Sequence, residues 1–298
     1  MLKNIQDLMK LGLENLEKKQ ADGLNDLEAH KAFIEASLAK EKRRNTPKNE
    51  MIESKTTGSL LPSCSNNVFI LPNAILRCSL FGIVAKGKRC YEKKSLKAAV
   101  KGITVKFTGE QLDQADLDVW AECIHRCRGY ELGEKIRFSS HSFLKAIRRS
   151  TGNSQHEWLK SCLLRLSACV LELGDGRFFY VGHLLQEWYR DEKTGEYIVV
   201  INPKIAVFFS VDMWTGILAE QRAKLKNKPL AKWLHAFYST HDKPFEYKVE
   251  TLMNLCGSEV FAVKTFKQKL KKSLVDLSDV TGWECSIDKN DLVQVKKN

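Results

Sequence analysis

The sequence has no long hydrophobic segment and little proline. Its longest uninterrupted apolar runs are five residues, Tyr197 to Ile201 and Ile205 to Phe209, whereas a membrane-spanning helix needs about 20 residues. Only 6 of the 298 residues are proline and 17 are glycine, which excludes a collagen-like chain. The hydrophobic share of 43% and the charged share of 28% are typical of globular proteins, and the length predicts about two domains.

The amino-terminal residues also lack the pattern of a secretory signal. Charged side chains interrupt any apolar core in MLKNIQDLMK, so we expect a cytoplasmic protein. The nine cysteines are an odd number, and the cytosol keeps thiols reduced. We therefore predict that the cysteines are small core residues and not disulfide partners.

No complete set of catalytic or metal-binding residues is present. The segment 82–89, GIVAKGKR, approaches the phosphate-binding loop G-x-x-x-x-G-K-[ST], but Arg89 stands where that loop needs a hydroxyl for Mg²⁺. Cys123 and Cys127 flank His125, yet no second Cys/His pair completes a tetrahedral site. No His-x-His pair occurs, which disfavours metal-dependent DNA nicking. These absences predict no catalytic residues, no metal, no cofactor and no enzymatic activity.

The charge balance gives the first positive indication of function. The chain has 48 Lys and Arg against 36 Asp and Glu, a formal net charge of +12. Residues 1–60 carry 11 basic and 10 acidic groups, residues 61–180 carry 19 and 11, and residues 181–298 carry 18 and 15. The excess therefore lies after residue 60, where it favours a polyanion such as nucleic acid through counterion release.

The composition changes near residue 60. Residues 1–60 mix leucines with dense Glu, Lys and Gln and then become polar, which predicts a helical, charged tail followed by a linker. Beyond it, helical and strand patterns alternate. We predict an α+β fold with a tail and linker at 1–60, a first domain at 61–200 and a second domain at 201–298.

Within each predicted domain, the pattern indicates a helix, a turn, a second helix and a hairpin. In the first copy the helices are predicted at 140–149 and from 153 to about 169, followed by hairpins around 174–176 and 191–195. In the second copy they are predicted at 247–255 and 260–277, with strands around 288–291. Gly152 and Gly257 take comparable places. This order predicts tandem winged helices, in which the second helix enters a major groove.

The second helix of each copy needs one apolar and one polar face. The expected inward residues are Trp158, Cys162, Leu166 and Cys169 in the first copy, and Val263, Phe266, Leu270, Leu274 and Leu277 in the second. In the first copy, the predicted outer side of the second helix carries Asn153, His156, Lys160 and Ser167. The full set of predicted DNA-binding residues is Lys145, Arg148, Arg149, Asn153, His156, Lys160, Arg177, Lys264, Lys267, Gln268, Lys271 and Lys272.

Several longer stretches carry a family resemblance. They are LPNAILRCSLFG at 71–82, FTGEQLDQADLDVW at 107–120, FSSHSFLKAIRRSTG at 138–152, YRDEKTGEY at 189–197 and NKPLAKWLHAFYSTHDKPFEYKVETLMNLCGS at 227–258. On these stretches the chain resembles TrfA-type plasmid replication initiators over roughly residues 66–298.

This resemblance implies a plasmid initiator that binds direct repeats, called iterons, in double-stranded origin DNA. It further implies melting of the adjacent DNA, recruitment of the host initiator, replicative helicase and polymerase sliding clamp, and regulation by self-dimerisation. Leu80 and Phe81 look like the family's clamp-binding element, although both residues could equally belong to the core.

Two other functions stay open at this level. A transcriptional repressor, including one of its own gene, would use the same fold. A recombinase or nickase is the enzymatic alternative. His125 and Arg128 match the H-x-x-R pattern of tyrosine recombinases, but Cys127 lies between them on a helix that we expect to be packed, so we interpret this match as chance.

Overall fold

Short antiparallel sheets alternate with helices along the chain, which gives the α+β class that the sequence predicts. The structure is a computed structural model and describes residues 60–85, 87–174, 176, 179–260 and 262–297. The predicted tail and linker therefore lie outside the described residues, except for Leu60. Among the described residues, no helix combines the length and apolar character needed to span a bilayer.

The first half of the described chain contains four helices, of which the first is a single turn, and ten strands. In chain order these elements are β1 Val68–Pro72, α1 Asn73–Leu76, β2 Phe81–Gly82, β3 Tyr91–Lys97, β4 Thr104–Glu110, β5 Leu112–Asp113, α2 Gln114–Arg126, β6 Lys135–Ser139, α3 Ser140–Ala146, α4 Asn153–Ala168, β7 Val170–Gly174, β8 Phe179–Gly182, β9 Leu185–Arg190 and β10 Glu196–Ile201.

The second half begins with a 3₁₀ helix and ends in a small sheet. Its elements are the 3₁₀ helix Pro203–Phe209, β11 Trp214–Leu218, α5 Ala219–Lys224, α6 Pro229–Ser239, β12 Tyr247–Lys248, α7 Val249–Leu255, α8 Val263–Thr281, β13 Glu284–Ile287 and β14 Leu292–Lys296.

Side-chain caps fix the start of two helices in the first half. The Asp113 carboxylate accepts hydrogen bonds from the backbone of Ala115 and Asp116, and the Asp116 side chain accepts one from the Asp113 backbone, which completes a capping box for α2. The Ser139 hydroxyl accepts a hydrogen bond from the Ser142 backbone at 3.2 Å and caps α3. The helical spacing of residues 113–127 predicts a helix there, and Asp113 caps it at the expected start. Ser139 lies one residue before the predicted start of α3 at Ser140.

Two groups of elements repeat the same topology. The first motif consists of α2, β6, α3, α4, β9 and β10, and the second consists of α6, β12, α7, α8, β13 and β14. Each contains an antiparallel three-stranded sheet in which the last strand lies in the middle, in the orders β6-β10-β9 and β12-β14-β13. The two motifs therefore share their strand order as well as the order of elements along the chain.

The hairpin that directly follows α4 is not part of the first motif's sheet. Strands β7 and β8 continue a separate four-stranded sheet in the order β3-β4-β7-β8. The hairpin that pairs with β6 is β9–β10, with its turn at 191–195. The sequence predicts that the hairpin directly after the second helix completes the motif, which was wrong. Strand β7 pairs with the distant strand β4 instead, and the next hairpin, β9–β10, pairs with β6.

The two helix–helix turns reverse direction at one left-handed residue each. Arg148 has φ +57° two residues after α3, and Gly257 has φ +64° two residues after α7. Gly152, which the sequence pairs with Gly257, instead precedes α4 with φ −74°. The left-handed turn also ends α3 at Ala146, before the predicted end at Arg149.

The spacing of apolar residues over 73–81 predicts a helix, but the observed helix α1 ends at Leu76. After α1, the backbone of Cys78 forms an isolated antiparallel β-bridge with Ala99, and the Ser79 N–H donates to the Ala98 carbonyl at 2.7 Å. Phe81 is the first residue of β2. Backbone pairing with a distant segment overrides the local helical spacing.

Two clusters of buried apolar side chains underlie the motifs. The first extends from Leu61 to Ile217 and also includes Ala236, while the second extends from Leu225 to Val295. The first cluster thus reaches beyond residue 200, the predicted end of the first domain. Strand β11 explains this extension, because it pairs antiparallel with β1 at the start of the described chain.

A buried ionic junction joins the two motifs. The Asp118 carboxylate of α2 accepts hydrogen bonds from Arg222 of α5 at 2.6 Å and from Lys232 of α6. Burial by itself raises the pKa of Asp118, but the two neighbouring cations outweigh burial and lower the pKa overall. The fully buried Arg222 also donates to the side chain and backbone of Gln114.

Candidate nucleic-acid interface

Helix α8 presents lysines to solvent on the side away from its core. Phe266, Leu270, Leu274 and Leu277 are buried at helical spacing, as the sequence predicts. The predicted residues Lys264, Gln268, Lys271 and Lys272 are exposed. A helix of this kind can lie in a major groove, with its cations against the phosphates on either side.

Lys267 has a partner within the protein. Its ammonium forms an ion pair with Asp291 in the β13–β14 turn, and its side chain is 29% exposed. Lys267 therefore lies at the border of the exposed face and ties α8 to the neighbouring turn. Lys269, which is not in the predicted set, is exposed on the same helix. The lysine-rich segment KQKLKK at 267–272 already indicates that Lys269 belongs to the basic face.

Helix α4 has a less basic exposed face than the sequence suggests. Leu159, Cys162, Leu163 and Leu166 are its buried residues. The exposed residues are Asn153, Ser154, Glu157, Ser161, Leu164 and Ala168. Of the predicted outer residues, only Asn153 is exposed. His156, Lys160 and Ser167 are partly buried along one edge of the helix, so the predicted outer face was displaced around the helix axis.

That edge of α4 borders a polar cavity next to the first motif's sheet. The cavity has a volume of about 240 Å³ and is lined by Ser140, Asn153, His156, Glu157, Lys160, Arg190 and Tyr197. His156 Nδ1 lies 3.3 Å from the Ser140 hydroxyl, and Lys160 forms an ion pair with Glu157 at 2.7 Å. The cavity brings three of the predicted residues, Asn153, His156 and Lys160, together with Arg190, which is outside the predicted set although it directly precedes the β9–β10 turn.

The three predicted cations before α4 differ in their surroundings. Lys145 and Arg148 are exposed and available to a ligand. The Arg149 guanidinium lies 3.6 Å from the centre of the Trp158 ring and donates to Gln155 at 2.9 Å. Burial lowers the pKa of Arg149. Arg149 therefore packs α4 against the preceding turn, which corrects its predicted role on the outer surface. Arg177 lies outside the described residues.

A buried carboxylate anchors α4 to the rest of the first motif. Asp116 in α2 is fully buried and accepts hydrogen bonds from Arg165 of α4 at 2.8 Å and from Arg89 at 2.9 Å. Arg89 also pairs with Asp113. Arg89, the last residue of the segment that resembles a phosphate-binding loop, thus binds carboxylates within the protein. The Arg89–Asp116–Arg165 network fixes the orientation of α4.

Leu80 and Phe81 are both in the core, with exposures of 0% and 2%. Phe81 stacks against Trp120 with ring centres 6.1 Å apart, and its backbone carbonyl accepts a hydrogen bond from Gln114. A clamp-binding element must be reachable by its partner. The predicted clamp role of these two residues is therefore corrected in favour of packing.

The cysteines near His125 are also packing residues. Cys123 and Cys127 are buried, and burial raises the pKa of each thiol, to about 12 for Cys127. His125 Nδ1 lies 3.3 Å from the Val68 carbonyl oxygen. In the described part of the chain, no group of three or more His, Cys, Asp or Glu side chains could hold a metal ion.

Comparison with known proteins gives relatives in sequence and in fold. The plasmid replication initiator protein TrfA of Escherichia coli is 26% identical over 239 residues, which are 76% of this chain and 61% of the relative. The chain thus spans less than two thirds of that relative's length. Domains 2 and 3 of RctB superpose with a TM-score of 0.53 at 13% identity, covering 76% of this chain and 98% of theirs, and this likeness concerns the fold. The Pi initiator protein, solved in complex with iteron DNA, gives a TM-score of 0.46 at 12% identity, covering 61% of this chain and 92% of its own.

The model of the TrfA protein family matches residues 36–297, which is most of the chain. The match includes every stretch on which the sequence resembled that family, and it also extends before the described residues. The resemblance is thereby confirmed, and the chain belongs to the TrfA protein family.

Proposed function

We propose that this protein initiates plasmid replication by binding iterons in duplex origin DNA through two winged helices. The observation that carries the proposal is the repeated motif, in which the same strand order supports one long, partly exposed helix twice. The turns at 191–195 and 288–291 take the place of the wings. Membership of the TrfA family supports the role in replication.

Two such motifs on one chain suit repeated or extended DNA sites. Once one motif is bound, the second binds as an intramolecular event at high effective concentration. The exposed lysines of α8 supply the charge that a duplex requires. Binding of this kind needs no chemistry from the protein, and we propose that it acts as a non-enzymatic initiator in the bacterial cytoplasm.

The proposal includes the steps that follow DNA binding in the family. The protein would melt DNA beside the iterons and recruit the host initiator, the replicative helicase and the polymerase clamp. Because Leu80 and Phe81 are buried, the clamp would contact other residues. Self-dimerisation would regulate these steps, and sedimentation of the full chain across a range of concentrations measures it.

Footprinting on DNA that flanks the native gene tests the proposed binding. We expect protection of tandem repeats, and a single protected operator over the gene's own promoter would favour a repressor. A maintenance assay then separates the two functions, since a repressor alone would not sustain a plasmid that carries the repeats. Incubation with supercoiled origin DNA should give neither a nick nor a covalent protein–DNA species, either of which would indicate a recombinase or nickase.

A further inference from the structure

The exposed faces of α4 and α8 share one spacing of side chains. Among the exposed residues of α4, one series is Ser154, Glu157, Ser161 and Leu164, and a series of the same spacing on α8 is Thr265, Gln268, Lys272 and Val275. Both series advance by three, four and three residues, so each lies on one face of its helix. Each ends in an exposed aliphatic side chain, Leu164 at 59% and Val275 at 61%.

The chemistry of the two series is also parallel. Each begins with a hydroxyl, which can hydrogen-bond to either kind of base edge, and continues with a carboxylate or amide. A glutamate accepts a hydrogen bond from the cytosine amino group, and a glutamine pairs with adenine. The terminal aliphatic side chains match the methyl group of thymine, whose contact with apolar side chains is one element of major-groove readout.

The two helices differ in the charge around these series. The α8 series contains Lys272, and four further lysines flank it on the same helix, at positions 264, 267, 269 and 271. The α4 series contains no cation, and Glu157 within it is 71% exposed. The nearest lysine, Lys160, is paired with Glu157. A carboxylate facing a duplex repels the phosphates, so α4 gains little from counterion release.

We propose that α4 supplies sequence discrimination with little salt-dependent affinity, through Ser154, Glu157, Ser161 and Leu164 in the major groove. The lysines of α8 supply most of the salt-dependent affinity. This division rests on the proposed DNA binding and adds to it the residues that read the sequence. Of the four, none belongs to the set predicted from the sequence.

The test uses the full chain and two duplexes of equal length. One is the duplex that the protein enriches from a randomised library, and the other is unrelated to it. Affinities for both are measured over a series of salt concentrations for Leu164→Ser, Glu157→Gln and Lys264→Ala. All three positions are exposed, and urea unfolding of each variant verifies that its stability is unchanged.

We expect Leu164→Ser to weaken binding to the enriched duplex about tenfold, with no change for the unrelated duplex or in the salt slope. Glu157→Gln should bind the unrelated duplex more tightly, because a repelling charge is removed, and should bind the enriched duplex with a smaller preference. Lys264→Ala should weaken both complexes by similar factors and flatten the salt slope by about one unit.

The inference fails if Leu164→Ser and Glu157→Gln keep the wild-type preference, or if they weaken both duplexes equally. A library from which no duplex is enriched, together with no measurable affinity for either DNA, would instead contradict the proposed function itself. A large loss of preference in Lys264→Ala would assign sequence reading to α8 and overturn the division between the helices.

Discussion

His235 shows how a single buried side chain couples stability to pH. It is 1% exposed in α6, where one ring nitrogen lies 3.0 Å from the Gln221 side-chain oxygen. The other ring nitrogen is buried without a hydrogen-bond partner among the described residues. Burial, assisted by the nearby cations Arg222, Lys297 and Lys232, lowers the pKa of His235 to about 3.

The lowered pKa predicts acid destabilisation. The unfolded chain binds a proton at His235 near pH 6.5 and the folded chain does not, so stability is full above that pH and is lost as the pH falls towards 3. At pH 5 the loss from this residue is about 2 kcal/mol. Urea unfolding at a series of pH values measures it, and His235→Gln should give a flatter pH dependence below pH 6.5. An unchanged slope in that variant would show that other groups cause the acid sensitivity.

Whether a given side chain is buried or exposed follows from the sequence only where a long helical pattern surrounds it. The inward residues of α8 follow from its spacing alone, because a long amphipathic helix has only one way to bury its apolar side. Leu80 and Phe81 had no such periodicity around them, and their burial depends on pairing with β5 and packing on α2. Such contacts join residues that are far apart in the sequence.

Helix α8 is the element whose charge is most accessible to experiment. We expect the triple variant of Lys264, Lys267 and Lys271 to Ala to weaken duplex binding and to flatten the salt dependence by about one unit per lost phosphate contact. Lys267 contributes least, since Asp291 holds it in the free protein. Fluorescence anisotropy over a range of salt concentrations provides the measurement.

The matched control removes the same charge elsewhere. Lys204, Lys224 and Lys226 are exposed lysines outside both motifs, and their joint replacement by Ala should leave the salt slope close to that of the wild type. If both triple variants lose affinity equally, net charge and not the position of α8 determines binding.

At the scale of elements, the sequence predicts well where local signals act. Asp113 caps α2 within one residue of the expected start, and α4 spans 153–168 as its periodicity indicates. The sequence could not distinguish the two hairpins after α4, since both consist of short apolar strands around polar turns. Only the registers of β7 with β4 and of β10 with β6 decide which hairpin completes the first motif.

For the whole molecule, the Asp118 junction links α2 of the first motif to α6 of the second. We expect Asp118→Asn to lower the free energy of unfolding by about 3 kcal/mol, because Arg222 and Lys232 would be left without their carboxylate in a buried site. Urea unfolding measures the change. Asp276→Asn is the control, since its partner Lys228 is 43% exposed and the pair should contribute less than about 1 kcal/mol. Equal effects of the two substitutions would contradict the structural importance of the junction.

The strand order common to both motifs also indicates where the chain can be lengthened. In the first motif a whole hairpin, β7–β8, lies between α4 and β9, whereas in the second only Gly282 and Trp283 separate α8 from β13. The first arrangement shows that added chain at this connection leaves the surrounding topology intact. A short epitope tag placed between α8 and β13 should therefore preserve thermal stability and DNA affinity, while the same tag within α8 should abolish both. This connection thus offers a permissive position for a fluorescent or affinity label with which to follow the protein in cells.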